Sequence, residues 1–210
     1  MPSWMPVEHA IQAKPTPAWA MPLIRVVAIL LLLCCMLALG IRDAQATNPN
    51  ERRRVEIGLK IFRATLAADV HLARKLDDQR RLAIVLFFDT DQASARHYRQ
   101  VLAQPGGLLE YPLRIVLSDD PSLRAFAARP PAAVFITEPR LPPTIVRQLG
   151  TFSARHSRLL FSPFEADVER GVATGLFIGS RVRPYVNSHA LREAGLELRN
   201  FFLGIARIAD

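Results

Sequence analysis

Two groups of acidic residues follow apolar runs of the chain and could carry out chemistry on a phosphate ester. Asp89-Thr90-Asp91 directly follows the run 82–88, and Ser118-Asp119-Asp120 follows the run 113–117. If both runs are parallel strands, these carboxylates lie at the edge of the sheet where ligands bind. There an aspartate can attack phosphorus as a nucleophile, and an acidic pair can hold the metal ion that neutralises the phosphate charge.

The two groups resemble the motifs of haloacid-dehalogenase-like phosphatases, but parts of that machinery are missing or displaced. Those enzymes hold the phosphate with a lysine between the motifs, and no lysine follows Lys75 in this chain. The acidic pair also precedes the strand that ends at Thr137, whereas the resemblance would place it after that strand. Because acidic residues at strand ends are common turn formers, we interpret Asp89, Asp91 and Asp119 as turn residues. We therefore expect a protein that is not an enzyme.

The remaining nucleophilic and metal-binding residue types do not form recognisable sites. Ser153 and His156 have the types of a nucleophile and its base, but they fall in a predicted polar loop with no acid to orient the histidine. Four of the five histidines fall in residues 47–210, where they are scattered, without a cysteine or a second histidine at ligand spacing: His71, His97, His156 and His189. We expect no catalytic residue, no metal site and no cofactor.

The first 46 residues have the composition of a targeting segment. A short basic stretch at 21–25 precedes an unbroken apolar run at 26–40, and Ala44-Gln45-Ala46 fits the small-x-small rule for cleavage. We predict a Sec-type signal peptide over 1–46, with Met21 as an alternative start, and a mature protein in the periplasm. The apolar run is shorter than the ~20 residues that a spanning helix needs. The alternative is an uncleaved anchor in the inner membrane, with the domain facing the periplasm.

Export and charge together restrict the partners. The chain carries 27 Lys and Arg residues against 19 Asp and Glu, a net charge of +8. A basic domain is typical of nucleic-acid binding, but an exported protein does not meet nucleic acid. An acidic protein domain or an anionic lipid surface remains, and we expect membrane contact only through a partner or an uncleaved N-terminal segment. Cys34 and Cys35 both lie in the apolar run, so residues 47–210 contain no disulfide.

Apolar runs and helical patterns alternate along residues 47–210. The predicted strands are apolar segments bounded by charged or turn residues: 82–88, 113–117, 132–137 and 159–161. The predicted helices are 55–70, 92–102, 122–128 and 142–149, the last ended by Gly150. This alternation predicts one α/β domain with a mainly parallel sheet flanked by helices, a Rossmann-like three-layer sandwich.

The C-terminal part predicts an antiparallel hairpin at one edge of this sheet. Gly179-Ser180 is typical of a two-residue loop between strands at 173–178 and 181–187. Alternation in the second strand places one set of residues towards the core: Val182, Pro184 and Val186. The other set is predicted to face solvent or another protein: Arg181, Arg183 and Tyr185. An edge strand tolerates Pro184 because that residue need not donate a hydrogen bond to a neighbour.

Short closing helices are predicted after the hairpin. Ser188 is predicted to cap a helix at 189–194, which Gly195 ends in a left-handed conformation. The apolar residues of a last amphipathic segment are Leu196, Phe202, Leu203 and Ile205. We expect this segment to pack against the core.

The closing segment resembles the end of the YfiR-like family of small bacterial periplasmic proteins. A spaced set of residues carries the resemblance: Asn187, Ala190, Arg192, Ala194-Gly195-Leu196, Leu203 and Ala206. Weaker similarity continues upstream, so that the resemblance covers about residues 55–208. Two positions depart from the family pattern. Pro184 stands where the family usually has Phe, and residues 170–173 replace its usual Gly-Gly-Met-Ile.

The resemblance implies a non-enzymatic regulator. The best-known YfiR-like type binds the periplasmic sensory domain of an inner-membrane diguanylate cyclase and holds it inactive, so that its release raises cyclic di-GMP and promotes biofilm formation. It implies such a cyclase or another sensor protein as partner, with a second copy of the chain as a further candidate. Because Arg and Tyr are enriched in binding hot spots, we predict Arg181, Arg183 and Tyr185 as partner-binding residues. The alternative is a periplasmic small-ligand receptor with its site near Asp89 and Asp119.

Overall fold

A seven-stranded sheet organises the domain. The computed structural model describes residues 48–104 and 106–209, so the predicted signal peptide at 1–46 and Pro105 of the predicted turn lie outside the described residues. The strands are β1 (Leu82–Phe87), β2 (Leu113–Ser118), β3 (Ala133–Ile136), β4 (Leu159–Ser162), β5 (Thr174–Ile178), β6 (Val182–Asn187) and β7 (Arg207–Ala209). Their order in the sheet is β2-β1-β3-β4-β5-β6-β7. All neighbours are parallel except β5 and β6, which form an antiparallel hairpin.

Helices cover both faces of this sheet. They are α1 (Pro49–Ala67), α2 (Gln92–Ala103), α3 (Pro143–His156), α4 (Glu165–Glu169), α5 (Ser188–Glu193) and α6 (Asn200–Ile205). The predicted α/β class, with a mainly parallel sheet between helices and a C-terminal hairpin with closing helices, is confirmed. None of the helices in the described ranges is both long enough and apolar enough to cross a membrane.

Two apolar cores lie on opposite faces of the sheet, so every side chain of β1 is buried. On the first face, Phe62 of α1 packs edge-on against Phe135 and Phe161, at centroid distances of 5.3 and 5.6 Å. On the second face, α3 packs Val146 and Leu149 against β1, β3 and β4. A sheet buried on both faces explains why its central strands are continuous apolar runs.

The prediction that α3 ends at residue 149 is wrong. The helix continues through Gly150 to His156, and Ser157 ends it with φ of 51°. Phe152 lies three residues after Leu149 on the same buried face, so its burial continues the helical pattern beyond the glycine. Ser153 and His156 therefore lie in the last turn of a helix, not in a polar loop.

The helix predicted at 122–128 is also wrong, since only a short 3-10 turn forms there, at Arg124–Phe126. The Asp120 carboxylate accepts hydrogen bonds from the backbone N–H groups of Ser122 and Arg124, at 2.9 and 3.0 Å, and begins the turn. A proline at 130 then disfavours helical backbone at Arg129. Leu123, inside the predicted helix, also has a left-handed backbone with φ of 49°, so a continuous α-helix cannot form over 122–128.

The closing segment departs from the prediction at its cap and at the sheet edge. Asn187, not Ser188, caps α5, because its side chain accepts a hydrogen bond from the Ala190 N–H at 2.9 Å. The chain also ends in an unpredicted strand, β7, which pairs with β6 from Tyr185 onwards. Pro184 precedes this pairing, so β6 is an edge at the proline, as predicted, and an internal strand after it.

Candidate partner-binding surface

The acidic residues after β1 surround a position that the protein fills with a carboxylate of its own. Glu138 follows β3 and accepts hydrogen bonds from the backbone N–H groups of Asp89, Thr90 and Asp91, at 3.0, 3.1 and 2.7 Å. The hydroxyl of Thr90 donates a further hydrogen bond to Glu138 at 3.0 Å. These N–H groups, at the carboxyl end of β1, are the donors that an anionic ligand would use in such a fold.

Two other carboxylates in these motifs, those of Asp91 and Asp120, accept hydrogen bonds from nearby backbone N–H groups. Asp91 caps α2 by accepting a hydrogen bond from the Ser94 N–H at 2.9 Å. The hydroxyl of Ser122 and the nearby backbone N–H groups hold the pKa of Asp120 below its usual value. Asp91 is thus an N-cap of a helix, a structural role that differs from the predicted turn. Within the described ranges, no three His, Cys, Asp or Glu side chains are grouped so that they could hold a metal ion.

Ser153 and His156 are not arranged as a nucleophile and its base. The buried Ser153 hydroxyl donates a hydrogen bond to the backbone carbonyl of Arg158. The His156 ring packs on Phe152, with 4.6 Å between ring centroids. The serine thus contributes to the end of α3.

The predicted alternation of the β6 strand is present, but its burial differs from the prediction. Pro184 and Val186 are buried on the face that α1 covers, as expected. Tyr185, predicted to be exposed, is only 5% exposed, because α4 covers the opposite face and packs Val168 near it. Val182, predicted to face the core, is 44% exposed.

The position of Val182 in the hairpin explains its exposure. It pairs with Ile178, which is 37% exposed, next to the loop that joins β5 and β6. The next pair on the same face of the hairpin, Leu176 and Pro184, is buried, and Ile178 and Val182 lie beyond it towards the loop. Arg181 and Arg183 are exposed, as predicted.

Arg207 is a site residue that the sequence analysis missed. Its guanidinium carbon lies 4.1 Å from the centroid of the Phe177 ring and 5.9 Å from that of Tyr185. Arg183 pairs with Phe177 on the neighbouring strand. The Arg207 guanidinium therefore lies over a half-buried aromatic ring, an arrangement that favours cation–π attraction, and Arg183 is the cross-strand neighbour of the same residue. Only the pairing of β7 with β6 brings Arg207 to this place.

Exposed apolar side chains are concentrated around the same strands. Among the described residues, seven large apolar side chains are exposed, and five of them belong to β5–β7 and α6: Ile178, Val182, Phe201, Ile205 and Ile208. Phe201 and Ile205, one helical turn apart on α6, are 68% and 59% exposed, whereas Phe202 between them is buried in the core. We call these five residues, together with Arg181, Arg183 and Arg207, the C-terminal edge.

Within the described residues, the arginines of the C-terminal edge have no ion pair, and part of its backbone has no neighbouring strand. Among the residues that the structure describes, none forms an ion pair with Arg181, Arg183 or Arg207. β7 is the last strand of the sheet, and residues 182–184 of β6 have no strand beside them on that side. Pro184 and the arginines limit uncontrolled pairing of such an edge. The C-terminal edge therefore has exposed apolar side chains and unpaired strand edge, with Arg183 and Arg207 on the opposite face of the hairpin from Val182 and Ile208.

Comparisons with known proteins found distant similarity to solved structures. No protein-family model and no curated protein matches the chain. The solved structures that are similar include the ABC domain in complex with L-Trp from Streptococcus pneumonia, with 10% identity, a TM-score of 0.46 and coverage of 69% of this chain. A conserved domain protein from Vibrio cholerae O1 biovar El Tor strain N16961 has 12% identity, a TM-score of 0.47 and coverage of 67% of this chain. The matches span 61% and 58% of the lengths of those chains.

Proposed function

We propose that this protein is a non-enzymatic periplasmic regulator that binds the periplasmic part of an inner-membrane sensor protein through its C-terminal edge. The observation that supports this proposal most is the concentration of exposed apolar side chains there, five of the seven in the described chain. Scattered apolar residues are normal on a protein surface, whereas a group rimmed by polar residues marks an interaction site.

The chemistry of the C-terminal edge defines the partner surface that fits it. Phe201 and Ile205 offer apolar area at the centre of a contact, where large side chains supply most of the binding free energy. Arg181, Arg183 and Arg207 lack acidic partners of their own, so an acidic rim on the partner complements them. We therefore expect a partner that offers both an apolar patch and Asp or Glu side chains.

A diguanylate cyclase is the sensor protein that we propose as partner, on the resemblance of the closing segment to YfiR-like proteins. Binding to the inactive state of such a receptor would keep cyclic di-GMP low, because a ligand shifts a two-state equilibrium towards the state it binds more tightly. A shift from 1:99 to 99:1 needs about 5.5 kcal/mol of differential affinity. A surface with several hot-spot residues can supply a free energy of that size.

The small-ligand receptor remains the alternative, with its site expected near Asp89 and Asp119. The Glu138 carboxylate lies where an anionic ligand would meet the backbone N–H groups after β1, so this end of the sheet does not favour an anion receptor. We therefore propose the regulator, and not the receptor, as the function of this protein.

Complementation of a gene deletion tests the proposed function in cells. We expect deletion to raise cyclic di-GMP, and expression of the wild-type protein to lower it again. Phe201→Ser should fail to restore a low level, because it removes the largest exposed apolar side chain of the C-terminal edge. Leu109→Ser is the matched control, since Leu109 is 62% exposed but lies outside this surface. A deletion that leaves cyclic di-GMP unchanged would contradict the proposal.

A further inference from the structure

A second site lies at the other end of the strands, where β1, β2 and β4 begin. A cavity of about 470 Å³ opens there, within the ~300–1,000 Å³ range of small-molecule sites. Because parallel strands begin at the same edge of a sheet, they bring together side chains that are distant in the sequence. Arg81 precedes β1, Arg114 is the second residue of β2, and Arg158 precedes β4. We call this space the amino-end cavity.

Small and flat residues keep the amino-end cavity open. Ala83 pairs with Arg114 in the register of β1 and β2, and its methyl group leaves room beside the arginine. Phe126 and Pro130, from the segment after β2, line another part of the wall. This mixture of apolar wall and cationic groups fits a small organic molecule better than a bare ion.

Positive charge exceeds negative charge among the lining residues. Five lining side chains are basic: Lys75, Arg81, Arg114, Arg129 and Arg158. Two are acidic, Asp77 and Asp78. Three of the cations have a close acidic partner, since Lys75 pairs with Asp69 at 2.5 Å, Arg81 with Asp77 at 2.9 Å and Arg129 with Asp78 at 2.9 Å.

The other two cations, Arg114 and Arg158, are incompletely satisfied. Arg114 Nε lies 3.6 Å from the Asp77 carboxylate, which already binds Arg81. Arg158 forms no ion pair with any described residue, and burial lowers its pKa. The Nε atoms of both arginines are shielded from solvent and lack a hydrogen-bond partner within the described part of the chain. A buried donor without a partner is destabilising, and more so when the group is charged, so an anion beside these guanidinium groups would be stabilised.

We propose that the amino-end cavity binds a small organic anion, with Arg114 and Arg158 as the residues that hold its carboxylate or phosphate groups. The two arginines lie on strands three spacings apart, about 14 Å between backbones. Both side chains line the same cavity, whose volume of about 470 Å³ suits a compact dicarboxylate or a phosphate ester. This site shares no residue with the C-terminal edge, and it lies at the opposite end of the strands from Asp89 and Glu138.

Thermal unfolding with defined anions tests this site. The probes are succinate, citrate, glycerol 3-phosphate and inorganic phosphate, with sodium chloride at equal ionic strength as the reference. At a concentration ten times its Kd, a bound anion should raise the melting temperature of the wild-type protein by about 3–5 °C above the chloride reference. A shift with glycerol 3-phosphate and inorganic phosphate alone would identify a phosphate group, and a shift with succinate and citrate a carboxylate.

Two single variants and one control show whether the arginines hold the anion. Arg158→Met and Arg114→Met keep the length of the side chain and should abolish the shift, whereas Arg99→Met, an exposed arginine on α2, should retain it. Because a variant that does not fold would also show no shift, circular dichroism without added anion checks each one, and two positions allow one to fail. An equal shift in folded Arg158→Met, or no shift of the wild-type protein with any of the four anions, would overturn the proposal.

Discussion

Arg207 joins the last strand to the hairpin through an aromatic ring. Its guanidinium lies 4.1 Å from the Phe177 centroid, and it has no ion pair with the described residues. A cation over an exposed ring contributes about 0.5–1 kcal/mol and leaves its outer N–H groups free to donate. The same contact that holds β7 in place thus presents a positive charge to a partner.

Reversal of the hairpin charges should weaken partner binding without unfolding the domain. The double variant Arg181→Glu/Arg183→Glu changes two exposed residues, and we expect a loss of about 1–3 kcal/mol in binding free energy. Arg96→Glu/Arg99→Glu on α2 makes the same charge change on another exposed surface and should bind like the wild-type protein. Calorimetric titration compares the two. Equal losses in both would indicate a general charge effect instead of a local contact.

Asp167 gives the stability of the domain a pH dependence. Its carboxylate is fully buried on α4, accepts a hydrogen bond from Ser162 at 2.6 Å and contacts Arg170 at 2.7 Å. Burial raises the pKa of Asp167 above its ordinary value of 3.8. The folded protein therefore holds this proton more tightly than the unfolded chain does. The contribution of Asp167 to stability falls as pH rises from about 3.8 through its raised pKa.

The variant Asp167→Asn, whose side chain stays neutral, tests this pH dependence. We expect its free energy of unfolding, relative to the wild-type value, to increase between acidic and neutral pH, as measured by urea unfolding at each pH. Asp89→Asn, a change at an exposed carboxylate, serves as the control for a general effect of charge removal. A difference between Asp167→Asn and wild type that stays constant with pH would contradict the assignment.

At the scale of elements, two glycines should respond to alanine in opposite directions. A Cβ on Gly175 in β5 would lie 2.4 Å from the Ser162 carbonyl oxygen and 2.4 Å from Val168 Cγ2. Gly150, inside α3, has open space at the same position. We expect Gly175→Ala to destabilise the domain by about 1–3 kcal/mol, as overpacking does, and Gly150→Ala to stabilise it by about 0.5–1 kcal/mol. Urea unfolding measures both. Stabilisation by both variants would show that the β4–β5–α4 junction is looser than described.

The strands were the most predictable elements, because burial on both faces forces continuous apolar runs. The four predicted strands before the hairpin match β1–β4 to within one residue or so at each end. The helix boundaries were less predictable. Gly150 and Gly195 each follow a helical pattern, and the sequence predicts a helix end at both. Only Gly195 has a positive φ and follows a helix end. At Gly150 the helix continues because Phe152 packs in the core, and the local sequence pattern does not show this packing.

The candidate surface could be predicted only in part from the sequence. Alternation correctly separated Arg183 from Val186, but it does not say that α4 covers the face where Tyr185 lies. β7 is only three residues long, too short for a periodic pattern. Arg207 and Ile208 could therefore not be assigned to the edge, because their place depends on pairing between distant parts of the chain.

At the scale of the whole molecule, three parts of the sheet have different characters. The carboxyl end of β1 is closed by Glu138, the amino ends of β1, β2 and β4 border a basic cavity, and the β7 side presents apolar area. The domain can therefore offer a partner surface at one side and a small-anion site at another without overlap.

Export is the premise on which a periplasmic partner depends. If the signal peptide predicted at 1–46 is cleaved, mass spectrometry of the protein from a periplasmic extract should find Thr47 at its N-terminus. Full-length chain recovered only from membranes would decide for the uncleaved anchor. Either outcome places the domain on the periplasmic side, whereas recovery from the cytoplasm alone would contradict the premise.

The central claim is that the C-terminal edge binds the periplasmic domain of a diguanylate cyclase. The most direct test measures the Kd for binding between this protein and the purified periplasmic domain of a cyclase from the same organism. Three forms of this protein are compared. Wild type should bind, and Phe201→Ser/Ile205→Ser should bind at least about tenfold more weakly, a loss of about 1.4 kcal/mol. Val70→Ser/Leu109→Ser, which changes two exposed apolar residues elsewhere, should bind within about twofold of wild type. Absence of wild-type binding, or equal Kd values for wild type and the Phe201/Ile205 variant, would contradict the claim.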